Sequence, residues 1–139
     1  MSKGWEHFSH IADVGVKGWG ETLEEAFEQG ALAMTAVMCE PERIKTEKAI
    51  DIELEEPDIE LLFADWLNKL IYETAVNNML FSKFKIKISE GKLKAKAWGE
   101  EVEIKRHESA VEIKGATYTE LKVGKNENNQ WFAQCVLDV

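Results

Sequence analysis

The sequence predicts an α+β fold, with two amphipathic helices packed against mostly antiparallel β-sheet. Three observations point to it. Two segments, one opened by Thr22 and one by Asp58, carry apolar residues at three- and four-residue steps, as a helix with one buried face requires. Much of the remainder alternates apolar and polar residues, as a half-exposed strand does. Short turn signals punctuate the second half, so hairpins connect its strands.

Each element can be justified in order. Residues 5–10 and 14–19 read as short strands meeting near Asp13-Val14-Gly15. Thr22 with Glu25 three residues later is a capping box. Leu23, Ala26, Phe27, Ala31, Met34 and Met38 mark the buried face of that helix, and Pro41 ends it. Residues 44–55 set Ile50, Ile52 and Leu54 against Asp51, Glu53 and Glu55, a half-exposed strand. Asp58 is the candidate N-cap of the second helix. Its stripe of Ile59, Leu62, Phe63, Trp66, Leu67, Leu70 and Ile71 is the strongest periodic signal in the chain. "FKIKISEGKLKAKAWGE" reads as a hairpin turning at Glu90-Gly91. Residues 101–106, 109–114, 116–124 and 131–138 alternate as further strands, with a turn at 126–129. No repeat, low-complexity tract or linker interrupts the chain, so residues 1–139 read as one domain.

Composition narrows the function. The 139 residues are 45% hydrophobic and 31% charged, which suits a soluble globular domain and excludes a disordered one. The net charge of −9 makes strong direct nucleic-acid binding unexpected and suits a cation or a basic protein surface. Cys39 and Cys135 lie far apart without a C-x-x-C spacing, so neither a zinc site nor a disulfide framework is indicated. The start "MSKGWEHF" lacks the apolar run of a signal peptide, and no stretch approaches about 20 apolar residues. A cytoplasmic protein, away from membranes, is expected. No G-x-G-x-x-G follows a strand, and no P-loop is present. The five tryptophans read as core, because they are not interleaved with basic residues as a single-strand binder requires.

Two places could carry chemistry. In "HFSHIADVGV", His10 and Asp13 interrupt an apolar strand pattern. Asp138 closes the strongly apolar last strand, and Val139 follows with the terminal carboxylate. Taken alone, Asp13 reads as a turn aspartate and Asp138 as a terminal one. If the first and last strands are neighbours, three carboxylates converge, and only a cation relieves their repulsion. Oxygen ligands of this kind suit calcium, magnesium or manganese rather than zinc. A cation that merely ties the last strand to the first is the structural alternative. "KGATYT" gathers the donors of Lys114, Thr117, Tyr118 and Thr119 around Gly115, or is simply a bulge there. His7 reads as a surface residue and His107 as part of a strand connection. No nucleophile has a neighbouring base in sequence and no G-x-S-x-G occurs, so catalysis is not indicated.

Taken together, these segments resemble the archease family. "HFSHIADVGVKGWGETLEEAFEQGALAM" is similar to that family's opening signature, H-T-A-D followed by a strand, a glycine and T-L-E-E. "PDIELLFADWLNKLIY" resembles its second helix, and "VEIKGATY" a later conserved-type segment of the form E-V-K-A-I-T-Y. The chain also ends, like the family, in Asp followed by Val. The resemblance spans essentially the whole chain. It implies a non-catalytic activator of the RtcB-type tRNA-splicing RNA ligase, one that promotes guanylylation and multiple turnover. It also implies a calcium-type metal site at Asp13, Asp138 and Val139, and first and last strands that meet. His10, Lys114, Thr117 and Tyr118 are candidates to support that site or touch the partner. Ile11 stands where the signature has Thr, and Thr119 where many members carry His or Ser. Two other readings compete: a general chaperone or accessory modulator of a tRNA-modifying enzyme such as a methyltransferase, and a small metal-dependent hydrolase using His10.

Overall fold

The computed structural model describes residues 2–107 and 111–139. Strands β1 (Gly4–His10) and β2 (Asp13–Gly20) form an opening hairpin. Helix α1 (Leu23–Met38) follows, then a 3-10 turn (Pro41–Arg43), β3 (Lys48–Glu55) and α2 (Ile59–Asn77). The second half holds β4 (Met79–Ser89), β5 (Lys92–Glu101), the short α3 (Ile104–His107), β6 (Gly115–Ala116), β7 (Lys122–Lys125) and β8 (Trp131–Asp138). The α+β class holds, with every strand pair antiparallel. Among the described residues, no helix is long and apolar enough to cross a membrane.

Both long helices start where their caps predict. The Thr22 hydroxyl accepts the Glu25 N–H at 3.1 Å, and the Glu25 carboxylate reaches back to the Glu21 N–H at 2.8 Å. Asp58 accepts the N–H groups of Glu60 and Leu61. Asn78, at φ 53°, closes α2 in the left-handed conformation. Glu90 and Gly91 both take positive φ (50° and 77°), as a two-residue hairpin turn requires.

The strands form two sheets. One has the order β1-β2-β8-β6, with β7 sharing the outer edge of β8; the other has the order β3-β5-β4. Both helices contact strands of both sheets. The main core joins Phe27 and Met34 of α1, Phe63, Trp66 and Leu67 of α2, and strand residues such as Val16, Ile52, Leu93 and Leu137. The Trp66 indole N–H donates to the Phe27 carbonyl at 3.1 Å, so its burial leaves no orphaned donor.

Several expectations need correcting. The last strand pairs with β2, not with β1, so the first and last strands are separated by one strand. The strand expected over 44–55 begins at Lys48, because the Lys45 N–H is taken by the Glu100 carboxylate and the Ile44 carbonyl by the Ser82 hydroxyl. Residues 101–106 do not form a strand beyond Glu101. They turn into α3, where the Glu103 N–H donates to the His107 ring and the His107 N–H to the Glu103 carbonyl. Of the strand expected over 109–114, residues 109 and 110 lie outside the described residues and 111–114 are irregular. The strand expected over 116–124 is broken by a turn at 118–121, with Glu120 at φ 55°. The tryptophans are not uniformly core: Trp66 is fully buried, whereas Trp98 is half-buried on the outer face of the second sheet.

Candidate functional site

The opening hairpin turns in two residues. His10 pairs with Asp13 at its last rung, leaving Ile11 and Ala12 as the loop. Ala12 sits at φ 62°, a region that costs a residue with a Cβ about 1–2 kcal/mol. Ile11 stands at the tip, 92% exposed. This tight turn sets His10 and Asp13 side by side at the end of the sheet.

The neighbouring ladder extends that row. The last β2–β8 rung pairs Val14 with Leu137, so antiparallel register puts Asp13 opposite Asp138 one step further. On the other side of β8, Gly115 pairs with Asp138, and the Lys114 N–H donates to the Asp138 carbonyl at 2.8 Å. One row therefore runs His10, Asp13, Asp138, Gly115 across four strands. Opposed residues in such a row lie about 4.5–5.5 Å apart at Cα and project from the same face. Asp13 is half-buried, Asp138 exposed and Val139 half-buried. His10 Nδ1 is buried and has no hydrogen-bond partner among the described residues. Such an orphan costs about 1–3 kcal/mol. His10 and Asp13 border a hollow of about 460 Å³ that the hairpin turn itself lines.

The donor set bears on a cation. Among the described residues, no three His, Cys, Asp or Glu side chains gather at metal-binding spacing. The side chains in the row supply two carboxylates, Asp13 and Asp138. All-oxygen donors fit a hard cation such as calcium, and no thiolate is present to favour zinc.

The "KGATYT" segment lies along β8 as an anchor. The Thr117 hydroxyl donates to the Val136 carbonyl at 2.8 Å and accepts the Thr119 N–H at 3.1 Å. Thr117 thus serves the backbone, and the structure gives its hydroxyl no contact with the row. Lys114 and Tyr118 are exposed beside it, Tyr118 at 67%. His7 is exposed, as expected, and its Nε2 lies 2.7 Å from the Ala33 carbonyl of α1.

A second cluster escaped the sequence reading. His107 does lie in the connection between β5 and β6, but it is sealed in the interior with Glu100. The His107 Nδ1 accepts the Glu103 N–H at 2.8 Å, which leaves Nε2 as the donor to Glu100 at 3.0 Å. Arg106 grips the same carboxylate with two guanidinium nitrogens. These hydrogen bonds, Arg106 first, hold the Glu100 carboxyl well below the usual carboxylate range. Cys39 lies nearby, but its thiol meets the His107 carbonyl, not the ring. Burial pushes the Cys39 thiol upward and the Cys135 thiol up to about 12. Neither forms a thiolate readily, and both ring nitrogens of His107 are committed, so the cluster has the residue types of a Cys-His-Glu triad without its geometry. No sequence signal distinguishes Glu100 from the alternating charges around it.

Comparison with known proteins extends the picture. Residues 5–139 match the model of the archease protein family (MTH1598/TM1083). The chain is 40% identical to protein archease of Pyrococcus furiosus, covering 97% of this chain and 98% of that one. It is 38% identical to protein archease of Methanosarcina mazei, covering 100% and 98%. The solution structure of Methanobacterium thermoautotrophicum protein 1598 superposes with a TM-score of 0.85 at 34% identity, covering 98% of this chain and 99% of that one. A crystal structure from Thermotoga maritima, described as "an archease, possible chaperone", shares the fold at a TM-score of 0.59 and 21% identity, covering 95% and 94%.

Proposed function

The chain belongs to the archease family, and from that premise we propose that it is a non-catalytic activator of an RtcB-type tRNA-splicing RNA ligase. On this reading it works in the cytoplasm, promoting the ligase's guanylylation and multiple turnover. The observation that carries the reading is the row of His10, Asp13 and Asp138 at one end of the sheet, with a buried ring nitrogen that has no partner among the described residues. A polar row of that kind weakens a fold, so its use lies in an interaction.

Asp13, Asp138 and the Val139 carboxylate would hold a divalent cation, calcium first and magnesium or manganese as alternatives. When bound, it would offset their mutual repulsion and present positive charge to phosphate oxygens of the partner's nucleotide. The chain's own residues do the rest. The Ile11 tip offers an apolar contact and Lys114 and Tyr118 an exposed rim, while His10, its Nδ1 buried, orients the turn from beneath. The acidic surface as a whole steers the protein toward a basic, RNA-handling partner.

A specific observation favours the accessory or chaperone reading as the second. A groove of about 540 Å³ runs between α2 and residues 111–114, with Tyr72 56% exposed on its wall. Val76, 60% exposed, stands on the same helix. Exposed apolar surface of this kind can hold a client protein. A ligation assay separates the two. Asp13→Ala is expected to abolish stimulation of the ligase while the protein melts normally. Loss of stimulation in Tyr72→Ser with Asp13→Ala fully active would favour the groove instead.

A further inference from the structure

The net charge of −9 hides a lysine-rich face. Lys83, Lys85 and Lys87 of β4 and Lys92, Lys94 and Lys96 of β5 all project from the outer, exposed face of the β3-β5-β4 sheet. They are six of the chain's 17 basic residues. Register sets Lys85 directly opposite Lys96 and Lys87 directly opposite Lys94. Like charges in facing positions oppose sheet pairing. Guarding an edge strand against aggregation explains lysines on β4 alone. It does not explain placing them against lysines of the central strand. Asp51, Glu53 and Glu55 of β3 face Lys96, Lys94 and Lys92, so the face keeps a surplus of positive charge on its β4 side, and the ion pairs are weak: Lys94–Glu53 and Lys96–Asp51 both lie at 3.8 Å, with side chains 49–81% exposed. Lys85 and Lys87 have no ion pair among the described residues.

Trp98 completes the face. It stands at the end of the lysine rows, half-buried, opposite Lys83, whose ammonium lies 4.8 Å from its ring centre. Along each strand the lysines repeat every about 6.8 Å, a linear array of charge beside one aromatic surface. Linear polyanions whose bases can stack match that arrangement. Stable attachment to a lipid surface takes an apolar anchor as well as a basic cluster. The large exposed apolar side chains, Ile11, Tyr72, Val76, Ile104, Val111 and Tyr118, belong to other elements.

We propose that this face binds single-stranded RNA, with the lysine rows on the phosphates and Trp98 stacking on a base. The choice of RNA over DNA rests on the ligase reading; the charge and stacking argument does not. The experiment uses the protein without ligase, so its failure is separate from failure of activation. The probe is a fluorescein-labelled mixed-sequence RNA of about 12 nucleotides, followed by anisotropy. Neutralising four phosphates gives a log–log salt slope of about −3, so affinity should fall about fifty-fold from about 50 to about 200 mM salt. The Lys85→Gln/Lys87→Gln/Lys94→Gln/Lys96→Gln variant should lose that slope, and Trp98→Leu should weaken binding about ten-fold with the slope kept. Should the quadruple variant misfold, Lys85→Gln/Lys87→Gln, whose side chains are exposed on the sheet face, should halve the slope. The proposal is overturned by absence of RNA binding at low salt, or by lysine variants that bind like the wild type. Equally tight, lysine-dependent binding of polyglutamate, of phosphatidylserine vesicles or of DNA of the same sequence would also overturn the RNA assignment.

Discussion

Glu100 is 5% exposed and accepts from the Lys45 N–H, both Arg106 guanidinium termini and the His107 ring. One carboxylate therefore anchors the segment before β3 and the whole of α3. Glu100→Gln keeps the volume but removes the charge that four donors face, and should cost about 3 kcal/mol in urea unfolding. The pH dependence has a definite sign. Its folded carboxyl is held below the usual range, so its contribution is present in full above the unfolded value of about 4.3. That contribution is lost as pH falls through the folded value. The stability gap between wild type and Glu100→Gln should accordingly shrink as melting curves are taken further below about pH 4. His10 behaves differently. Its buried Nδ1 has no partner among the described residues, so His10→Phe should leave the melting temperature unchanged or raise it while weakening ligase stimulation.

The contact of α1 with β2 turns on one glycine. A Cβ at Gly18 would come within 2.2 Å of the Gly30 backbone nitrogen and 2.5 Å of the Ala26 carbonyl. The helix must then lift off the strand, so Gly18→Ala should destabilise the protein by about 1–3 kcal/mol, read from denaturant midpoints at constant slope. The helices themselves were legible from local chemistry, because Thr22, Glu25 and Asp58 cap within their own segments. The strands of residues 101–106 and 116–124 were misread because alternation there is real but outcompeted. Glu100, Arg106 and His107 draw the first into a helical turn, and Thr117 bends the second by bonding Val136. Of the site, His10 and Asp13 stood out as polar residues in an apolar strand. Their alignment with Asp138 depends on a pairing between residues more than a hundred positions apart, which no local pattern encodes. The resemblance carried that information, and its one topological error was to make β1, not β2, the neighbour of β8.

At the scale of the whole molecule the two sheets divide the charge. The end of the first carries the acidic row, and the outer face of the second carries the lysines, within a chain of net charge −9. That division suits a protein that meets a partner's nucleotide-handling site at one place and a polyanion at another. The central claim concerns the acidic row, and a multiple-turnover RNA ligation assay tests it most directly. The assay contains an RtcB-type ligase, GTP and divalent metal, with this protein at substoichiometric amounts. Wild-type protein should raise turnover well above one product per ligase. Asp13→Ala and Asp138→Ala should each return it to the unstimulated level, with unchanged melting curves. Undiminished stimulation by both variants would contradict the account.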